Sequence, residues 1–553
     1  MNNNWFKKEK PFATMIGLGG GATSLINGGA AGPTIEASGG IISEYTDAPT
    51  GDIYRAHVFV SDGFLAVSKV VGDGEIEYVV VGGGGGGASA TDVYSSPSYL
   101  STGGGGGGGF RTNIPGVPTS ASNPITVSGP ANYTVTIGYG GRTGAQPGND
   151  MGRGFTGGFS SFVHPTSTIT STGGGGGGNG PKSALAAGTG GGGANGSTSG
   201  GAGNTPPVSP AQGFAGGTGA SPYSGGAGGG GGATATGGPA PTGRGGGAGA
   251  AMAIEDGTTT VYYGAGGGGG NGPTSRSVSG DGNGSGYSTD PDRTNYGRGG
   301  GGTIPTSGTT QARTKKGLEN GSGRDGMSGF GGGGGGAGQY AGGGRGGTGC
   351  VIIRYKISAT TGSAKATGGL ISFYNNKVIH TFRGGGSFTT NAGFNETCEY
   401  FVVGGGGAGG YEGGGGGAGE VVTGTHPFNT PTATAVTVKV GAGGRGFSLS
   451  DSWLGYNDRS GGYGYESEIA FPGAVKTGAG GNSGGSYPAR GGTTGLDPAD
   501  QGDTVNQTNG CGGGGAKNGT TPQSASPTGM PYGGLGNSNG GGGGGGAGGN
   551  GTD

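Results

Sequence analysis

Ile76-Glu77-Tyr78-Val79-Val80-Val81 runs without a break into Gly82-Gly83-Gly84-Gly85-Gly86-Gly87. The first half is β-branched and aromatic, the composition of a strand. The second half has no side chains. A fold that holds both must order backbone that has nothing to bury. Glycine loses more backbone entropy on folding than any other residue, roughly 0.5–1 kcal/mol relative to alanine. A backbone hydrogen bond contributes about the same, roughly 0.5–1.5 kcal/mol net. Poly-glycine therefore orders only where nearly every amide is paired. An extended helix with about three residues per turn makes no internal hydrogen bonds and points its amides outward. Several such helices side by side can pair laterally, because glycine lets backbones approach from every direction. The stretch predicts a strand that feeds a bundle of extended polyglycine II helices.

The rest of the chain repeats this arrangement. Of 553 residues, 165 are Gly and 28 are Pro, far above ordinary globular usage. Runs of five to seven glycines recur at Gly82–Gly87, Gly103–Gly109, Gly173–Gly178, Gly266–Gly270, Gly331–Gly336, Gly413–Gly417 and Gly540–Gly546. Seven residues at about 3.1 Å rise span about 22 Å. Shorter runs at Gly190–Gly193, Gly228–Gly232 and Gly512–Gly515 are candidate further rods. No strict Gly-X-Y period exists, which excludes collagen. Segments rich in Ser, Thr, Pro and Asn, such as 205–212 and 520–531, read as turns between rods.

Strand motifs recur at long range. Tyr54-Arg-Ala-His57-Val-Phe59, Gly63-Phe64 and Ile76–Val81 come first. Lys377-Val-Ile-His380-Thr-Phe382, Ser387-Phe388 and Cys398-Glu-Tyr-Phe-Val-Val403 follow in the same order. Tyr133-Thr-Val-Thr-Ile137 matches Val436-Thr-Val-Lys-Val440, and both alternate as half-buried strands do. Phe159–Val163 and Tyr465–Phe471 occupy corresponding places. Cys350-Val-Ile-Ile-Arg-Tyr355 closes the first unit and has no counterpart in the second. A partner strand or a truncated unit explains the difference, and the sequence does not choose. The fold expected is mainly β plus polyglycine II: two repeated units, each a small β-sandwich or meander frame with a bundle of extended polyglycine helices, and almost no α-helix. The boundaries are 1–50 for an N-terminal docking segment, 51–357 for unit 1, 358–370 for a linker and 371–553 for unit 2.

Charge is low and balanced, with 29 basic and 30 acidic residues. Nothing polybasic is present to follow a nucleic-acid backbone. No stretch of 18 apolar residues exists to span a membrane, and no signal peptide is read near the start. Cys350, Cys398 and Cys511 are odd in number and lack metal spacing. Hits to Gly-x-Gly-x-x-Gly carry no weight without a βαβ context. His57 and His380, at equivalent strand positions, read as buried residues with locally bonded rings in preference to a metal or acid–base pair. Glu466 and Glu468 read as solvated in preference to a carboxylate pair. Asp150, Asp281, Asp290 and Asp292 read as turn residues. No catalytic residue, cofactor or metal is expected, and the chain is read as not an enzyme.

Tyrosine is the informative side chain. Tyr94, Tyr99, Tyr223, Tyr287, Tyr296, Tyr456, Tyr463 and Tyr532 fall in predicted loops and are candidate host-contact residues. Capping the rod ends against water is an equal reading of the same residues.

Glu77-Tyr-Val-Val-Val-Gly-Gly, Val135-Thr-Ile-Gly-Tyr-Gly-Gly and Cys350-Val-Ile-Ile-Arg-Tyr resemble the glycine-rich domain of phage virion proteins, often tail fibres. The opening Asn3–Phe12 is similar to the start of glycine-rich structural proteins of marine phages infecting cyanobacteria. The resemblance implies a virion structural protein, a tail or surface fibre component with loop-borne host adhesion. Trp5, Phe6 and Phe12 would dock it to the particle. Its partners would be further copies or other virion proteins, and a host cell-surface glycan or outer-membrane protein. Assembly would be in the host cytoplasm. The alternative is a self-assembling extracellular filament or capsid-surface protein with no receptor role.

Overall fold

The structure, a computed structural model, describes residues 35–89, 101–117, 120–121, 123–144, 152–180, 182–196, 198–220, 226–240, 245–270, 323, 325–337, 342–357, 359–409, 414–444 and 463–484. It is mainly β, in several small sheets, with no helix among the described residues. None of these residues therefore forms a helix long and apolar enough to cross a membrane.

Two antiparallel sheets face each other in the first half. One has the order β1 (Ile35–Ser38), β4 (Gly63–Val70), β8 (Ala131–Thr136), β9 (Ser160–His164), β10 (Ser167–Ser171). The other has the order β2 (Ile41–Thr46), β3 (Ile53–Phe59), β13 (Cys350–Ile357), β5 (Glu75–Val81), β6 (Phe110–Thr112), and β7 (Ile125–Thr126) pairs with the start of β5. β13 is central. Its Ile353 lies opposite His57 on one side and Tyr78 on the other. Tyr78, Val80, Val351 and Ile353 pack against Leu65, Tyr133, Val135 and Phe162 of the facing sheet. The opposite faces, Val79, Val81, Cys350 and Ile352, lie under the hairpin β11 (Ala250–Met252) and β12 (Val261–Tyr263) together with Phe330. Burial on both faces explains why Tyr78–Val81 of β5 and Cys350–Ile353 of β13 read as unbroken apolar runs. Each such fully buried side chain contributes about 1.5–3 kcal/mol.

The glycine runs begin where β5 ends. Gly82, Gly85 and Ala88 donate to the carbonyls of Gly109, Gly106 and Gly103, at 3.0, 2.8 and 3.1 Å. Gly83, Gly86 and Ser89 donate to Gly158, Phe155 and Gly152, at 2.9, 2.9 and 2.8 Å. Gly84 and Gly87 donate to Gly347 and Gly344. The same run accepts from Gly174 and Gly177, from Gly141 and from Gly334. The partner changes at each residue and returns at the third. The approach is close enough to exclude any side chain: a Cβ on Gly84 would stand 2.0 Å from the carbonyl oxygen of Gly332. Run 103–109 repeats the pattern, donating to Gly178, Gly175 and Thr172 at every third residue.

The second half has its own five-stranded antiparallel sheet, in the order β14 (Ala366–Thr367), β17 (Gly386–Thr390), β20 (Ala435–Lys439), β21 (Ser467–Phe471), β22 (Ala474–Gly478). Two separate antiparallel pairs accompany it: β15 (Leu370–Tyr374) with β16 (Lys377–Thr381), and β18 (Thr397–Val403) with β19 (Val421–Pro427). Its core is smaller, centred on Phe394, Phe428, Val436 and Phe471. Gly39 (φ 114°) and Gly368 (φ 102°) hold matching turns, and a Cβ at either would strike a backbone carbonyl.

Candidate functional site

Charged side chains concentrate where the first half meets the second. Glu44 on β2 is buried and lies in register with Arg55 on β3, whose Nε and Nη2 donate to it at 2.9 and 2.6 Å. The backbone N–H of Thr361 donates to the same carboxylate at 2.6 Å, which anchors the connection leading into β14. Arg354 on β13 donates to Glu77 on β5 at 2.6 Å and to the Tyr45 hydroxyl at 3.1 Å. Its guanidinium lies 4.0 Å from the centre of the Tyr54 ring. Arg383, which follows β16, donates to Glu255 at 2.7 Å and to the Gly329 carbonyl at 2.9 Å. The Tyr263 hydroxyl donates to the same Glu255 carboxylate at 2.7 Å.

Burial opposes the charge on Arg354 and Arg383, yet the facing tyrosines and carboxylates hold both above the ordinary guanidinium value. Burial pushes the hydroxyls of Tyr45 and Tyr263 up, so both stay protonated. Burial also pushes the Cys350 thiol up to about 12, the environment of an inert buried cysteine. Each guanidinium is committed to a carboxylate, and the arrangement clamps strands together. A groove lined by Glu36, Ser38, Arg55, Ser68 and Asn132 lies nearby, and its guanidinium is the one already bonded to Glu44. Among the described residues no group of three or more His, Cys, Asp or Glu side chains could hold a metal ion.

The two histidines at equivalent strand positions sit in bonded environments. His57 is fully buried, with Nδ1 2.8 Å from the Gly39 carbonyl and Nε2 3.1 Å from the Tyr355 hydroxyl. Burial pushes its pKa down to about 4. His380 repeats the first contact, with Nδ1 2.8 Å from the Gly368 carbonyl, and burial lowers it too. Glu468 receives Lys439 at 2.8 Å across β20 and β21. It is part-buried and paired, where the sequence suggested a solvated position. Cys350 and Cys398 are free thiols.

Most of the predicted contact residues fall outside the described residues: Trp5, Phe6, Phe12, Tyr94, Tyr99, Tyr223, Tyr287, Tyr296, Tyr456 and Tyr532, and with them Cys511 and the turn aspartates. Tyr463 is described. It is half-buried, its ring 5.9 Å from that of Tyr465.

An aromatic face was missed by the sequence reading. Tyr139 is 71% exposed, Phe159 55% and Phe155 45%. They stand on neighbouring segments joined by Gly158 N–H to the Tyr139 carbonyl at 2.8 Å and Phe155 N–H to the Arg142 carbonyl at 2.9 Å. The signal was present in Gly138-Tyr139-Gly140 and Gly154-Phe155. In an array with no room for a Cβ on its inner side, an aromatic residue must point outward.

A family model described as a glycine-rich domain matches residues 61–317 and 381–553. No curated protein matches the chain.

Proposed function

The chain belongs to the glycine-rich domain family, matched over most of its length, and from that premise we propose that it is a non-enzymatic phage virion structural protein, a tail or surface fibre component. One observation carries the reading: the run 82–89 hydrogen-bonds laterally to several other runs, with partners returning every third residue. That recurrence supports polyglycine II helices, which also have about three residues per turn. It suits a rigid element whose variable chemistry sits at its rim. The two matched regions start at residues 61 and 381, and the five-stranded sheets have corresponding strand orders. Both support two repeated units; the sheets of the first take in β1 and β2 and the sheet of the second begins at β14, so the first unit starts before residue 51 and the second before residue 371. The residues ahead of β1, 1–34, are assigned to docking on the particle through Trp5, Phe6 and Phe12. Loop tyrosines, joined by the exposed face of Tyr139, Phe155 and Phe159, are assigned to the host surface, a glycan or an outer-membrane protein. The mature location is the virion, after assembly in the host cytoplasm.

Two measurements on the phage test this. Deletion of residues 1–34, which leaves β1 and β2 in place, is expected to abolish incorporation into particles. Exchange of the tyrosine-bearing loops, or Tyr139→Ser with Phe155→Ser, is expected to reduce adsorption without reducing incorporation. Unchanged adsorption in all of them would overturn the adhesin role. It would favour a self-assembling filament or capsid-surface protein, a reading that β16 and β18 support, each being paired on one side only among the described residues. New reducing ends released from host polysaccharide would overturn the non-enzymatic assignment.

A further inference from the structure

We propose that the space between β16 and β18 is an acceptor slot for one extended strand supplied by a partner polypeptide. This goes beyond the virion assignment and does not depend on it. The argument begins in the first half, where β13 lies between β3 and β5 and pairs antiparallel with both. The second half presents the flanking pairs alone: β15 with β16 as β2 with β3, and β18 with β19 as β5 with β6. Among the described residues no strand joins β16 to β18. Each is paired on one side only, and a strand with a free edge is a template for another chain.

The face that β11–β12 and Phe330 cover in the first half is also more open in the second: Val79, Val81 and Ala56 are fully buried, whereas Phe401, Val403 and Ile379 at the matching places are 68%, 44% and 42% exposed. The charge also corresponds. Glu77 receives Arg354 from β13 at 2.6 Å. Glu399 stands in the place of Glu77 and is held by exposed Lys377, from the opposite flank of the slot, at 2.7 Å. An arginine on the incoming strand would take the place that lysine now fills.

The chemistry of the occupant follows: a strand antiparallel to both flanks, apolar at successive positions, with an arginine opposite Glu399. A second copy of β13 does not qualify, because β13 is buried and paired on both edges.

The test uses the full chain and a fluorescent peptide with the sequence of residues 349–357, serine replacing its cysteine. Saturable binding is expected, with hydrogen exchange slowing at residues 377–381 and 397–403. A peptide carrying Arg354→Glu is expected to bind about two- to fivefold more weakly, the range of a single cross-strand charge pair. Glu399→Lys in the chain should reverse that preference. This site is exposed, so the variant leaves the cores untouched. No saturable binding, binding that leaves both strands exchanging as before, or an unreversed preference would overturn the proposal. So would a dimer in which both strands are already protected without peptide, which would make a second copy the occupant.

Discussion

At single residues, the decisive quantity is the space around a hydrogen atom. Gly84 has none, since a Cβ there would meet the Gly332 carbonyl oxygen at 2.0 Å. Gly406 has some, its nearest such neighbour being the Gly417 carbonyl oxygen at 3.7 Å. Gly84→Ala is expected to destabilise by about 1–3 kcal/mol, as overpacking does. Gly406→Ala is expected to be neutral or stabilising by up to about 1 kcal/mol, because it restricts the unfolded chain. Denaturant midpoints of the two variants check the pair. His57 gives a pH signature. Burial lowers its folded pKa to about 4 from 6.5, so between those values the unfolded chain binds a proton that the folded chain refuses. The neutral imidazole's contribution is complete above about pH 6.5 and is lost as pH falls toward 4. Two and a half pKa units correspond to about 3 kcal/mol. His57→Gln should flatten the fall in stability between pH 7 and 4.5, followed by chemical denaturation at each pH.

Among the strands, legibility followed burial. β5 and β13 were plain because both faces are buried and both read as apolar runs. β10, with one large apolar residue in Ser167-Thr-Ile-Thr-Ser171, exists through its hairpin with β9, and its sequence does not announce it. β19 contains Gly424 and ends at Pro427, two residues that argue against a strand. Its register supplies the reason for the glycine: Gly424 lies opposite Tyr400, and a Cβ there would stand 2.5 Å from the tyrosine hydroxyl oxygen. The aromatic ring covers the position that the glycine vacates. The pairing of Arg383 with Glu255 was not legible either, because the partners are 128 positions apart. It ties the segment after β16 to the hairpin β11–β12. Arg383→Met leaves Glu255 buried without its cation, and breaking such a pair costs about 3–5 kcal/mol. Thermal unfolding should show that loss. Adding Glu255→Gln should recover part of it, since the uncompensated charge is then gone.

Across the whole molecule, the sequence announced the glycine runs and withheld their neighbours. Glycine carries no side chain to encode which run lies beside which, so the assignment comes from where the strands launch each run. The exposed Tyr139, Phe155 and Phe159 follow from the same arrangement and became visible only with it. An array paired on all sides should also exchange its amides slowly. The expectation is protection at residues 82–87 and 103–109 comparable to that of β5, measured by native-state hydrogen exchange; an unpaired linker would exchange at once. The three-residue return of partners has a further consequence, for the gene. Gly82, Gly85 and Ala88 address one neighbour, Gly83, Gly86 and Ser89 another. Slippage that adds a single glycine codon preserves composition, charge and hydropathy, yet turns every later amide of that run toward the wrong neighbour. A glycine tract here has a phase, and its length can drift without penalty to that phase only in steps of three codons.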